Sequence, residues 1–172
     1  MTETRPLAFS SVDPGDFEVR TFDDEIRVDQ LCTALLLAVR DRLLADGTGD
    51  PVEIGTICRG ADYFLREFVI AECGDNLFRL PPERVRQFAG HWYIVRNLEP
   101  NIAELAAILA GICAVYHVLK DEGLVDAARA EEIGTACTEL TWYRQRIDDF
   151  WDIAGDGFTA WQAACPLPPQ RS

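Results

Sequence analysis

Four aspartates near the end of the chain, Asp148, Asp149, Asp152 and Asp156, form its densest group of chemistry-bearing side chains. The run Asp148-Asp149-Phe150-Trp151-Asp152 sets carboxylates one helical turn apart, a spacing that can hold Mg²⁺ through oxygen ligands. Cys113 and His117 lie four residues apart, which places them on one helix face as half of a zinc site. Closing that site needs two more ligands, for which His91 and Cys137 are the candidates. His91, between Gly90 and Trp92, also suits acid–base work near neutral pH, but no nucleophile with an adjacent base accompanies it. The glycines form neither a GxxxxGKS/T nor a GxGxxG loop, so no phosphate cradle is written into the chain. No catalytic constellation is complete, so the expectation is a non-enzymatic protein with no cofactor. A metal-binding or enzymatic bundle using the His/Cys or Asp groups is the alternative.

Trp142, Tyr143, Phe150, Trp151, Phe158 and Trp161 fall within the 20 residues that also hold the aspartates. Trp and Tyr dominate interface anchors, and a one-signed charge patch steers an oppositely charged partner. Residues 142–161 are therefore read as a partner-binding surface for a protein with a basic face. Asp148, Asp149, Asp152 and Asp156 would steer, and Trp142 and Trp151 would anchor. The whole chain carries a net charge of −13, and residues 121–156 hold 10 acids against 3 bases. That balance repels phosphate backbones and anionic lipid surfaces, so neither nucleic acid nor membrane is an expected partner. Of the 16 basic residues only Lys120 is a lysine.

These side chains need a scaffold, and the segment 105–119, LAAILAGICAVYHVL, indicates which one. Only Gly111 and His117 interrupt the apolar run. Fifteen residues fall short of the roughly 20 that cross a bilayer, and a helix apolar nearly all round must be surrounded by protein. The expectation is one all-α domain over 21–165, an orthogonal-type bundle of five to six helices around this central element. Residues 1–20 form an extended arm and 166–172 a Pro-rich tail. A second copy of the chain could also cover the central helix, so a homodimer is allowed. The six scattered cysteines contain no CxxC pair and no apolar leader precedes them, which fits a reducing cytoplasm.

Helical periodicity and end signals locate the neighbours. The first helix spans 23–46, with Val28, Leu31, Leu35, Val39 and Leu43 on one face. The second opens at Asp50-Pro51-Val52-Glu53, a capping box with Pro at the first helical position, and closes at Gly74. A third follows Pro81-Pro82, with Val85, Phe88, Trp92 and Val95 inward. Asn101 and Glu104 cap the central helix, which Gly123 ends. A long fifth helix covers 126–154, with Ile133, Leu140, Tyr143, Ile147, Phe150 and Ala154 inside. Along it, Arg144 and Arg146 offset the aspartates, Arg144 by pairing with Asp148. A short helix from Phe158 to Ala164 packs Trp161 back onto the bundle.

Within 81–125, Glu83, Val85, Phe88, Leu109, Ile112, Tyr116, Leu119, Glu122, Gly123 and Leu124 follow a pattern that resembles the SAM-like core-binding domain of tyrosine recombinases. The resemblance implies local helical packing. It extends to a DNA-associated helical module only as a further alternative, because the segment has four bases (Arg84, Arg86, Arg96, Lys120) against five acids and no catalytic domain follows. The aspartate run has the DDxxD spacing of isoprenoid synthases. Those enzymes use a far longer bundle, and the Arg pair that follows their motif is missing here.

Overall fold

The computed structural model of the chain describes residues 6–165, and every regular element in that span is helical. The tail 166–172 and the first five residues of the arm lie outside the described residues. The rest of the arm folds against the bundle in two 3₁₀ turns, Phe9–Ser11 and Pro14–Phe17. Phe17 is buried there, edge-on to Phe78.

Helix α1, Phe22–Ala45, begins at a capping box. The Thr21 hydroxyl accepts from the Asp24 N–H, and the Asp24 carboxylate accepts from the Thr21 N–H. Asp23, Asp24 and Glu25 complement the positive end of its dipole. Helix α2, Pro51–Asp62, has the expected box of Asp50 and Glu53. The chain does run on to Gly74, which closes it at φ +65°, but residues Tyr63–Cys73 wind as a π-helix.

The third predicted helix is three pieces: α3 (Glu83–Gln87), a π turn (Phe88–Trp92) and α4 (Tyr93–Arg96). The wider turn shifts the helical register. Tyr93 and Ile94 point inward, while Val95, expected inside, is exposed. The two π segments meet through aromatic rings. Tyr63, Phe64 and Phe68 all contact Phe88, and Trp92 lies against Tyr63, Phe68 and Phe88.

Helix α5, Ile102–Asp121, is the central element. Asn101 caps it by accepting from the Glu104 N–H, while the Glu104 carboxylate turns to accept from the Tyr93 hydroxyl at 2.7 Å. Its large residues, Leu105, Ile108, Leu109, Ile112, Val115, Tyr116, Val118 and Leu119, are buried. Tyr116 donates to the Leu77 carbonyl at 2.7 Å, and burial pushes its phenol well above the ordinary range.

Two expectations about α5 are corrected. It is 20 residues long, and an 18-residue window of it has a mean hydropathy of 2.0, so by length and composition it reaches the bilayer-spanning class. Nor is it enclosed on all sides: Ala103, Ala107, Ala110, Cys113 and His117 form an open stripe. Small side chains make that stripe, which is why a nearly uniform apolar sequence still has a solvent face.

The long fifth helix is also corrected. It breaks into α6 (Ala127–Cys137) and α7 (Leu140–Trp151). The Thr138 hydroxyl donates to the Thr135 carbonyl, and the Leu140 N–H to the Thr138 carbonyl. Such local bonds compete with the helical ladder. Arg86 of α3 grips both Glu139 carboxylate oxygens, at 2.7 and 2.8 Å, and fixes the corner. Beyond Gly155 (φ +59°), α8 (Phe158–Ala163) lays Trp161 onto the bundle as expected.

Candidate functional site

Helix α7 has two dissimilar sides. At about 100° per residue, Tyr143, Arg146, Ile147 and Phe150 occupy the inner arc, and all four are at least half-buried. Asp148 and Asp152 lie one turn apart on the outer side, with Trp142 and Trp151 at its opposite edges. All four aspartates are exposed, as are Trp151 (57%), Phe158 (40%) and Trp142 (37%). Phe150 supports Trp151 edge-on from the half-buried side.

Charge on this ridge is scarcely compensated. Asp149 accepts from the Gln145 amide at 2.7 Å. Among the described residues, Asp148, Asp152 and Asp156 form no ion pair, and the expected Arg144–Asp148 pair is absent. Asp148 and Asp149 sit in the final turn of α7 and Asp152 at its C-cap, where the dipole is negative. Carboxylates there are disfavoured by roughly 0.3–1 kcal/mol each. Five grooves of the bundle are lined by residues of other elements, and the aspartates and both tryptophans line none of these five.

The expectation that Arg146 offsets these acids is corrected. Arg146 is 4% exposed and faces inward. Its Nε donates to the Gly90 carbonyl at 2.9 Å and its Nη1 to the Trp161 carbonyl at 2.7 Å. In return the Trp161 indole N–H donates to the Arg146 carbonyl at 2.9 Å. The guanidinium lies 4.0 Å from the centre of the Trp161 ring. Trp142 covers the same place by lying on Gly90, where an added Cβ would meet the ring at 2.7 Å. Sequence reasoning treated Arg146 as a surface base. Its position between Tyr143, Ile147 and Phe150 in the helical period was the signal that it points inward.

The four metal candidates are not assembled into one site. Cys113 and His117 share the open stripe of α5. His117 instead faces Asp121, with Nε2 3.4 Å from its carboxylate, and Lys120, 3.3 Å from Nδ1. Cys137 is buried, and that burial pushes its thiol up. His91 belongs elsewhere, its ring 5.3 Å from that of Trp161. Among the described residues, no group of three or more His, Cys, Asp or Glu is placed to hold a metal ion.

Burial holds His91 below the usual imidazole range; a hydrogen bond with Gln162 opposes it in part, and the charge of Arg146 adds to it. A base whose folded pKa is depressed takes up its proton more readily in the unfolded chain. The associated stability is complete above about pH 6.5 and is lost as pH falls through the folded value. Replacing His91 by Phe is expected to flatten the stability profile between pH 7 and pH 5, measured by urea unfolding at each pH.

The bases of the recombinase-like segment are engaged with acids. Arg84 pairs with Asp75, Arg86 with Glu139, Arg96 with Glu72 and Lys120 with Asp121. No family model, curated protein or solved structure matches the chain, so the likeness of residues 81–125 to the core-binding domain rests on its residues alone.

Proposed function

We propose that the protein is a non-enzymatic interaction module that docks a protein partner with a basic surface onto the outer ridge of α7 and the turn leading to α8. One observation carries this reading: Trp151, 57% exposed, stands among exposed carboxylates of which none is held in an ion pair among the described residues, and exposed Arg144 is the one base on that side of α7. An indole left open to water favours removal of its apolar area by a partner, worth about 25 cal/mol per Å². Uncompensated aspartates at the negative end of a helix concentrate field, which speeds encounter with a cationic surface and selects against acidic ones. Asp148, Asp149, Asp152 and Asp156 supply steering, and Trp142, Trp151 and Phe158 supply contact area.

The test is a fourfold Asp→Asn variant at positions 148, 149, 152 and 156, with Trp151→Ala beside it. Thermal unfolding should show the Asn variant at least as stable as the parent, because it removes charges the dipole opposes. Capture of a partner from lysate, identified by mass spectrometry, should fall by tenfold or more in each variant, and its salt sensitivity should vanish in the Asn variant. Equal capture by parent and both variants would mean that the ridge is only a solvated face.

A further inference from the structure

We infer that Arg146 and His91 form a second site, beneath α8, that binds a small oxyanion through a carboxylate or phosphate group. This site lies on the inner side of α7, away from the aspartates, and shares Trp142 with the ridge.

Arg146 is the most buried arginine described, and it lacks a carboxylate. Arg84, whose side chain is 12% exposed, shows the ordinary arrangement by pairing with Asp75 at 2.5 Å. Arg146, 4% exposed, is met by two carbonyls and by the Trp161 and Trp142 rings. Its remaining nitrogen, Nη2, is buried and has no acceptor among the described residues. A buried charge without a counter-ion is among the most costly arrangements in a protein interior. Burial pushes the Arg146 pKa down, and Cys165 and then Asp149 oppose this only in part.

His91 supplies the second polar group. Its Nε2 is also buried without a partner, and its ring shares the Trp161 wall with the guanidinium. An unpaired guanidinium N–H, together with an imidazole nitrogen on a ring that meets the same indole and is a donor in one tautomer, supplies hydrogen-bond donors and positive charge. That chemistry recognises an oxyanion and repels a metal ion. Two elements bound the site. Trp142, at the partly exposed edge of α7, forms its outer wall 6.0 Å from the guanidinium. The cover, α8, has six residues, follows Gly155 and Gly157, and is tied to Arg146 by the reciprocal pair with Trp161.

The experiment uses the full chain. Thermal unfolding and isothermal titration are run with sodium phosphate and with sodium acetate, each against sodium chloride at matched ionic strength, at pH 7. The expected result is a saturable rise in Tm with phosphate, acetate or both, which also identifies the preferred oxyanion. Arg146→Gln should weaken binding at least tenfold. His91→Phe keeps a ring against Trp161 and should weaken it severalfold while folding normally, so the test survives if the Arg146 variant does not fold. The His91 titration midpoint, read by NMR, should rise in the bound state. The proposal is overturned if Tm follows ionic strength alone with both anions, or if the folded variants bind as tightly as the parent.

Discussion

Gly111→Leu is expected to lower stability by about 3 kcal/mol or more, enough to unfold a large share of the molecules at 37 °C. Where α2 crosses α5, a Cβ on Gly111 would stand 2.4 Å from the Ile57 carbonyl oxygen, and one on Gly60 would stand 2.8 Å from the Ile108 Cα. Both obstacles are backbone, so no rotamer change relieves them. The two glycines let the helix axes approach closely, and the buried faces of α2 and α5 depend on that approach. Gly55, also in α2, has nothing within 4 Å of an added Cβ. Gly55→Ala should therefore be neutral or stabilise by about 0.5–1 kcal/mol, the ordinary helix-interior gain. Urea unfolding of the three proteins reads both values. A mild effect at Gly111 would mean that the crossing is looser than described.

Phe88→Ala is the second large effect, expected at about 3–5 kcal/mol. Phe88 has no solvent exposure and touches Tyr63, Phe64, Phe68, Trp92 and Tyr93. It is the ring through which the two π segments meet. Aromatic pairs contribute about 0.5–1.5 kcal/mol beyond their area, so the loss should exceed that of a leucine of similar burial. The near-UV circular dichroism of the cluster should weaken together with the stability. Retained dichroism with a small stability change would show that the rings pack without Phe88.

Helix positions were legible in the sequence where an end signal was chemical. Asp50, Asn101 and Asp126 cap as expected, Thr21 caps α1 without having been singled out, and Gly47, Gly74, Gly123 and Gly155 take the left-handed backbone that ends or follows a helix. The π windings were not legible. They keep a helical pattern with a longer repeat, so Val95 was assigned the place that Tyr93 and Ile94 occupy. The corner at Thr138-Glu139 was missed because it depends on Arg86, fifty-three residues away along the chain. Composition alone could not open the α5 stripe either, since alanine reads as apolar in a sequence and is indifferent at a surface.

The candidate site divides along the same line. The exposure of the aspartates and of Trp142 and Trp151 follows from helical period, and it was readable. The burial of Arg146 was readable by the same period, but its charge argued against an interior place. His91 gave no local signal, because its neighbour Trp161 arrives from another helix.

The cysteines test the architecture most directly, since they report on α1, α5, α6 and the end of α8 in one experiment. Under native conditions a small thiol reagent should modify Cys113 first and Cys58 and Cys73 more slowly. Cys32, Cys137 and Cys165 should react only as the protein unfolds, because burial both covers them and pushes their thiols up. Site-resolved mass spectrometry of the modified chain gives the order. Protection of Cys113 equal to that of Cys32, or early reaction of Cys32 or Cys137, would contradict a bundle built around α5 with its Ala–Cys–His stripe open to solvent.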